Sequence, residues 1–303
     1  MNARKFIYWL VFVLVTGNLA LMAWVLMGTP KPKPQPLPNP NGYDDFVKAG
    51  KILNGNFTDT NGHFFDFRKK DRDALTVLVS QNAEVLQLLR TGLSRECRVS
   101  LAVDFDYSGK DMQDLVNFKK EAVLLCAEGN LQESNGRTND AIQAYLDGAR
   151  LGHESGRGGV IIQRLVGVAC ETIALRELSQ LSDKLDAKQC AEIARKLEQI
   201  DGADEPVAET IRNEDVFNRK TESFQQKLVA LAMREQLRAE REKATKKCES
   251  AISNRRRVML TFAARAYELD HGKRAASVAD LVPGYLKTIP QDPATGTNTL
   301  YNP

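Results

Sequence analysis

The chain has 303 residues, a formal net charge of +3 and a charged fraction of 27%. So small a charge for this length gives no reason to expect nucleic acid or a strongly acidic partner. The hydrophobic content of 43% is ordinary for a globular protein, and a mean hydropathy of −0.36 excludes a protein with many membrane spans.

Residues 6–27 read FIYWLVFVLVTGNLALMAWVLM and include no charged residue. At about 1.5 Å per residue, this stretch is long enough to cross a hydrocarbon core of about 30 Å, which predicts one transmembrane helix. It is longer than the apolar core of a cleaved signal peptide, so we predict an uncleaved signal anchor, with a cleaved leader as the alternative. The residues predicted to form the anchor include Phe6, Trp9, Leu10, Val15, Leu21, Trp24 and Met27.

The orientation of the anchor follows from the charges around it. Arg4 and Lys5 precede the apolar run and Lys31 and Lys33 follow it, so the balance is nearly even and the free amine tips residues 1–5 towards the cytoplasm. The expected location is therefore a membrane that the chain spans once, with the bulk of the chain outside the cytoplasm; the resemblances given below imply a bacterial inner membrane and the periplasm.

A proline-rich linker is predicted over residues 28–42, where Thr29 to Pro40 reads TPKPKPQPLPNP. Alternating proline favours extended polyproline II, which rises by about 3.1 Å per residue and makes a stiff spacer. A proline-rich ligand for a partner protein is the alternative. Asn41 and Gly42 then suit a turn, and Asp44 is expected to cap the first helix. The linker followed by NPNGYDDF is similar to membrane-anchored envelope proteins of planctomycete-type bacteria.

The helical body begins after the linker. Residues 55–70 are predicted to form a loop, and apolar residues spaced by three and four from Asp71 onwards predict one helix that ends near Gly92. From about Lys110 to His153 two helices are predicted, because Asn135 and Gly136 interrupt the helical pattern.

Small and aromatic residues follow one another within this pair of helices in an order that is typical of a known helical hairpin. They are Gly129, Gly136, Ala141 and Tyr145. Residues 115–152 thereby resemble one tetratricopeptide (TPR) hairpin, in which small residues let two helices approach and the aromatic side chain fills the groove between them. The resemblance implies a mainly α fold, with a TPR-like or α-solenoid-like domain over residues 43–250.

Residues 158–178 are the most apolar stretch after the anchor. Gln163, Arg164 and Glu171 interrupt it, which predicts a core helix rather than a second span. Asp186 is expected to cap the next helix, which runs through Ile200. A charged segment with one apolar side then continues to about residue 250.

Residues 251–303 change in character. A helix is predicted to end at Gly272, and Ser277 with Asp280 suggests a capping box before LVPGYLKTIPQDPATGTNTLY. The residues that carry the pattern include Tyr267, Gly272, Pro283, Tyr285, Pro290, Asp292, Pro293, Gly296 and Tyr301. This segment resembles the end of the first helix and the following loop of type II secretion pseudopilins, which implies an association with secretion or pilus-like machinery.

Several residues are candidate sites. Cys97, Cys126, Cys170, Cys190 and Cys248 form no CxxC pair, so we expect small buried helix residues, with up to two disulfides as the alternative. The three histidines have no neighbouring pattern of metal ligands. Asp292 could bind calcium in a pseudopilin-like loop, but one carboxylate is few for this ion, and a structural loop is favoured.

Three further patterns have a structural and a functional interpretation. His153, Glu154 and Ser155 could form a hydrolytic group, although the surrounding strand and turn of a nucleophile elbow are lacking. Residues 155–159, SGRGG, could hold a phosphate, but a plain interhelical loop is favoured. Residues 255–257 are three arginines that could bind phosphate or acidic lipid, and a solvated turn of helix is the favoured interpretation.

These patterns predict an anchored, mainly α-helical extracytoplasmic protein that acts as an interaction or scaffold component of the bacterial cell envelope. Its expected partners are the membrane and other envelope proteins, without nucleic acid. We identify no catalytic, cofactor-binding or metal-binding residue, and we expect no cofactor. An envelope hydrolase is the alternative function.

Overall fold

The structure is a computed structural model that describes Thr16, residues 36–58, 71–101, 109–221, Val229 and residues 232–299. Residues Leu37–Pro303 make up one compact unit, to which the helices below belong. The predicted anchor lies outside the described residues except for Thr16. Within the described ranges, no helix combines the length and the apolarity needed to cross a bilayer.

Nine helices lie in the described part of the chain. They are α1 (Gly42–Ile52), α2 (Arg72–Gln81), α3 (Ala83–Leu93), α4 (Lys110–Ser134), α5 (Thr138–Gly156), α6 (Ile161–Ser179), α7 (Ala187–Gly202), α8 (Val207–Thr221) and α9 (Arg234–His271). Two 3-10 turns cover Ser182–Lys184 and Val278–Leu281. The described part of the chain contains no β-strand, which confirms the prediction of a mainly α fold.

The first helix begins one turn earlier than expected. The side chain of Asn41 accepts a hydrogen bond from the backbone N–H of Tyr43, so Asn41, not Asp44, is the N-cap of α1. The same Asn41 side chain also bonds the backbone of Arg98 in both directions, at 2.8 Å and 3.0 Å. One asparagine thus caps a helix and ties it to the segment after α3.

The single helix predicted from residue 71 to about 92 is wrong, because Asn82 divides it into α2 and α3. The fully buried Asn82 amide donates to the carbonyls of Leu78 and Asn54 and accepts from the N–H of Asn54. A buried asparagine that bonds to the backbone competes with helical hydrogen bonds, and here it also holds the residues that follow α1.

Helices α4 and α5 form the expected antiparallel hairpin, and the break lies at Asn135 and Gly136, where the φ of Gly136 is +73°. A Cβ atom on Gly129 would lie 2.3 Å from the ring of Tyr145, so the missing side chain is what lets the ring sit against α4. The Tyr145 hydroxyl lies 2.8 Å from Oδ1 of Asn130 and 2.6 Å from Oε1 of Glu133.

Two apolar clusters meet along α4, α5 and α6. One joins α1, α2, α3 and α4 around Phe46, Leu89 and Phe118. The other joins α5, α6, α7, α9 and the segment after α9, with Tyr145, Leu197, Phe262, Leu281 and Leu286 among its members. The C-terminal segment is therefore part of a core.

Helix α9 runs without interruption from Arg234 to His271 and ends at Gly272, whose φ of +67° is favourable for glycine. The end at Gly272 and the cap at Asp186, which accepts from the N–H of Gln189, agree with the prediction. The boundary drawn between residues 250 and 251 falls inside α9. The five cysteines are free and buried, which confirms the favoured interpretation except that Cys97 lies after α3 and not in a helix.

Glu121 is a buried carboxyl residue beside the first apolar cluster. Its side chain on α4 is fully buried beside α1, where a Cβ atom on Gly50 would lie 2.9 Å from Oε1. Neither carboxyl oxygen has a hydrogen-bond partner. Burial, reinforced by the negative charge of Asp114, raises the pKa of Glu121 well above its usual range, which favours the protonated, neutral form of this side chain.

This raised pKa predicts an unusual dependence of stability on pH. The folded chain keeps a proton that the unfolded chain releases above pH about 4.3, so the contribution of Glu121 is complete below that pH and is lost as the pH rises towards the folded pKa. The loss amounts to at most about 1.4 kcal/mol per pH unit. We expect the free energy of unfolding of Glu121→Gln, measured in urea from pH 5 to 8, to fall less with pH than that of the native chain.

The matched control is Glu84→Gln, which changes an exposed carboxylate on α3. Its pH dependence should follow that of the native chain. Equal pH dependence of Glu121→Gln and the native chain would show that Glu121 ionises normally in the folded protein.

Candidate functional site

A cavity of about 580 Å³ lies between α7, the end of α9 and the segment that follows α9. We call it the C-terminal groove. Its lining includes Lys188 and Arg195 from α7, Tyr267, Asp270 and His271 from α9, and Asp280, Pro283 and Tyr285 from the segment after α9. Its volume lies in the range of about 300–1,000 Å³ that is typical of ligand sites.

Three rings form a corner in this groove. Tyr267 and His271 lie one helical turn apart on α9 and stack with their centroids 4.0 Å apart and their planes at 13°. The ring of Tyr285 stands at 67° to Tyr267, 5.9 Å away, and at 69° to His271, 6.4 Å away. We call Tyr267, His271 and Tyr285 the aromatic corner.

Hydrogen bonds hold the corner in place. The Tyr285 hydroxyl donates to Oδ2 of Asp270 at 2.7 Å. Burial, together with this bond and the charge of Asp270, raises the pKa of Tyr285 to about 12. Nδ1 of His271 lies 3.0 Å from the carbonyl oxygen of Tyr267, and since a carbonyl can only accept, Nδ1 carries the hydrogen in this contact.

Two side chains of α7 form hydrogen bonds with the segment after α9, which forms the opposite wall of the C-terminal groove. Arg195 donates to the carbonyl of Gly284 at 3.0 Å. Oε1 of Glu198 accepts from the backbone N–H groups of Lys287 and Thr288, at 2.7 Å and 3.1 Å. The polar side chains of α7 therefore position the loop that carries Pro283 and Tyr285.

The turn after the groove is organised by Asp292. Its carboxylate accepts hydrogen bonds from the backbone N–H groups of Ala294 and Thr295, and from the hydroxyls of Thr295 and Ser253. Desolvation alone would raise the pKa of Asp292, but these bonds lower it. Because donors already surround this carboxylate, its position agrees with a structural loop.

A buried ionic network lies beside this turn, around Arg255 of α9, which is only 1% exposed. Its guanidinium donates to Glu171 of α6 at 2.9 Å and 3.1 Å, to Asp201 at 3.1 Å, and to Asp204. Asp204 also accepts from Arg164. Burial alone would lower the pKa of Arg255, but the three carboxylates raise it, so the charge is retained.

This network corrects the interpretation of the three arginines as a solvated turn. Arg255 is buried, and the neighbouring Arg256 donates to Asp201 and to the carbonyl of Gln291. Only Arg257 is exposed. Two of the three arginines thus bind carboxylates of the protein itself, which leaves no basic cluster for phosphate or lipid.

The residues of the other two patterns, 153–155 and 155–159, also make their contacts within the fold. His153 and Ser155 are buried in α5, and the Ser155 hydroxyl donates to the carbonyl of Gly152 at 3.2 Å. The N–H of Gly158 in the glycine-rich loop donates to Glu205 at 2.8 Å, and the N–H of Ile161 at the start of α6 donates to Glu214 at 2.9 Å. Carboxylates thus take the backbone donors that a phosphate would need.

A second, polar cavity of about 260 Å³ lies between α5 and α7. Its lining carries charges of both signs, from Asp147, Arg150, Glu154 and Lys196. Asp147 is bound by Arg90, which also donates to Glu128 at 2.6 Å. No aromatic side chain is part of the lining of this second cavity, in contrast to the C-terminal groove.

The residues expected to matter fall into three groups. Ala141 and Tyr145 are fully buried and Gly129 abuts the Tyr145 ring, so they pack the α4–α5 hairpin and Gly136 turns it. Tyr267, Pro283 and Tyr285 line the C-terminal groove, Gly272 ends α9, and Pro290, Asp292, Pro293 and Gly296 lie in or beside the following turn. Tyr301 lies outside the described residues, as do Phe6, Trp9, Leu10, Val15, Leu21, Trp24 and Met27.

Comparison of the chain with models of protein families, with curated proteins and with solved structures finds no match. The TPR and pseudopilin resemblances therefore stay predictions. Among the residues that the structure describes, no group of three or more histidine, cysteine, aspartate or glutamate side chains is arranged to hold a metal ion.

The pairing of Arg255 with Glu171 and Asp204 is not predicted from the sequence. A usable signal was present, because Arg164 and Glu171 interrupt an apolar helix, and charges are buried in a core only when they are paired. The partner of each could not be identified, since Arg255 is 84 residues from Glu171 in the chain.

Removing the charge of Arg255 should destabilise the fold. In Arg255→Met, three carboxylates lose their common cation, and breaking a buried ion pair typically costs about 3–5 kcal/mol. We expect a loss of this size in the free energy of unfolding, measured with urea. Arg257→Met, on the exposed side of α9, should change it by less than about 0.5 kcal/mol. Equal small effects of both changes would contradict a structural role for the network.

Proposed function

We propose that this chain is a single-span, membrane-anchored, extracytoplasmic helical interaction or scaffold protein of the bacterial cell envelope. The proposed location is supported by the uncharged apolar stretch of residues 6–27 and the proline-rich linker after it. The proposed activity is the binding of another envelope protein through the C-terminal groove.

The observation that carries this proposal is the construction of the groove. Its lining comes from two helices and an irregular segment, and the irregular segment is held by Arg195 and Glu198 of α7. Aromatic rings on a fixed framework supply contact area at little cost in conformational entropy, which suits recognition of a partner. The helical body is the scaffold that presents these rings.

The finer proposal is that the partner belongs to secretion or pilus-like machinery. It is supported by the sequence resemblance of the C-terminal segment to type II secretion pseudopilins, and three of the residues that carry the resemblance, Tyr267, Pro283 and Tyr285, line the groove. The TPR-like hairpin of α4 and α5 is a further reason to propose protein binding.

No observation favours the alternative of an envelope hydrolase over this proposal. His153, Glu154 and Ser155 are the candidate residues for that chemistry, and all three are buried in α5.

The test is site-specific photocrosslinking in intact cells of the native host. A photoreactive amino acid replaces Lys188, which lines the groove, or Glu192, which is exposed on the same helix outside the groove. We expect a discrete adduct with an envelope protein from position 188 only, identified by mass spectrometry, and its loss when Tyr285→Leu is added.

Two results would contradict the proposal. One is the same set of adducts from positions 188 and 192, and the other is the absence of any adduct from position 188.

A further inference from the structure

We propose that Asn54 is a site of spontaneous covalent modification in the folded protein, where the backbone nitrogen of Gly55 attacks the asparagine side chain and converts it into isoaspartate and aspartate. The proposal is independent of the binding role of the C-terminal groove, since Asn54 and Gly55 lie in the connection that follows α1.

An asparagine followed by glycine meets the least steric resistance to this reaction, because glycine has no side chain to hinder the approach of its own nitrogen. The described part of the chain contains three such pairs, which are Asn41–Gly42, Asn54–Gly55 and Asn135–Gly136. A fourth pair, at residues 61 and 62, lies outside the described residues.

Hydrogen bonds protect the pair Asn41–Gly42. The N–H of Gly42 donates to the carbonyl of Glu96 at 2.9 Å, and this bond holds the proton that the nitrogen must lose before it can attack. The Asn41 side chain is bound by the backbone of Tyr43 and Arg98 and is only 6% exposed. Neither reacting group is therefore free to move.

The pair Asn135–Gly136 is restrained in the same way. The N–H of Gly136 donates to the carbonyl of Glu133 at 2.9 Å, and Oδ1 of Asn135 accepts from Arg72. The first bond holds the proton of the attacking nitrogen and the second holds the side chain, so the turn between α4 and α5 resists the reaction.

The pair Asn54–Gly55 has no such protection. Both residues are exposed, and among the described residues neither the Asn54 side chain nor the Gly55 N–H has a hydrogen-bond partner. Asn82 binds only the main chain of residue 54, at its N–H and its carbonyl oxygen. The two reacting atoms, Cγ of Asn54 and the nitrogen of Gly55, are therefore not restrained by hydrogen bonds.

The reaction consumes one water molecule and releases ammonia. The Gly55 nitrogen loses its proton and forms a bond to Cγ of Asn54, while the bond from Cγ to the side-chain nitrogen breaks and ammonia leaves with the proton. Water then opens the resulting succinimide ring at either of its two carbonyl groups. Opening at the main-chain carbonyl gives isoaspartate, in which the chain continues through the side chain of residue 54.

Isoaspartate changes the contact between Asn82 and the end of α1. The chain gains an extra carbon atom after residue 54, and the carbonyl that accepts from Asn82 at 2.7 Å becomes part of a charged carboxylate. Phe57, which is 2% exposed in the first apolar cluster, lies three residues further on and has to be repositioned. We expect the amides of residues 53–57 to exchange hydrogen faster after the conversion.

The experiment keeps the full-length protein in neutral detergent micelles at about pH 7.5 and about 37 °C and follows each pair by peptide mass spectrometry. Conversion replaces an NH2 group by OH, and fragment ions assign the mass gain to residue 41, 54 or 135. Fragmentation by electron transfer separates isoaspartate from aspartate. Short synthetic peptides around each pair give the rates without the fold.

We expect conversion at residue 54, relative to its synthetic peptide, to be at least about tenfold faster than at residues 41 and 135, the factor that one hydrogen bond of typical net strength contributes to a rate. Asn54→Gln should remove this mass gain, because ring closure through the longer side chain is much slower. The matched control is Asn56→Gln, which changes an exposed asparagine two residues away and should leave conversion at residue 54 unchanged.

Two results would overturn the inference. One is conversion at residue 54 that, relative to the synthetic peptides, is no faster than at residues 41 and 135. The other is a mass gain in the same peptide that persists in Asn54→Gln and disappears in Asn56→Gln. Unchanged hydrogen exchange of residues 53–57 in the converted protein would contradict the expected effect on the contact with Asn82.

Discussion

The fold depends on one buried charge. Arg255 is 1% exposed, and its guanidinium binds carboxylates of α6 and of the segment that ends α7 and leads to α8. Such a group is tolerated in a core only when hydrogen bonds compensate for the loss of water, so the position of α9 is restricted to one that keeps Glu171, Asp201 and Asp204 within reach.

The network reaches the C-terminal segment through the neighbouring arginine. Arg256 binds Asp201 and also donates to the carbonyl of Gln291, and Ser253 donates to Asp292. Leu281 and Leu286 are buried in the same cluster as Phe262 of α9. The C-terminal groove therefore exists because α7, α9 and this segment are held to each other by both ionic and apolar contacts.

Local features of the fold could be predicted from the sequence, and long-range features could not. The hairpin break at Gly136, the cap at Asp186 and the end of α9 at Gly272 are decided by a few neighbouring residues. Asn82 divides a regular helical pattern because it bonds Asn54, 28 residues away. The sequence predicts the importance of the C-terminal residues of the groove. It does not predict that α7 forms the opposite wall, because no neighbouring residue in the sequence indicates this contact.

The central claim is that the C-terminal segment is a fixed part of the helical body and thereby forms a binding groove. Hydrogen exchange of the full-length protein, read on peptides by mass spectrometry, tests it most directly. Our account predicts that residues 285–288, whose amides donate to Leu281 and Glu198, exchange slowly, together with α7 and the second half of α9. Exchange of this segment within seconds, with α7 and α9 still protected, would contradict it.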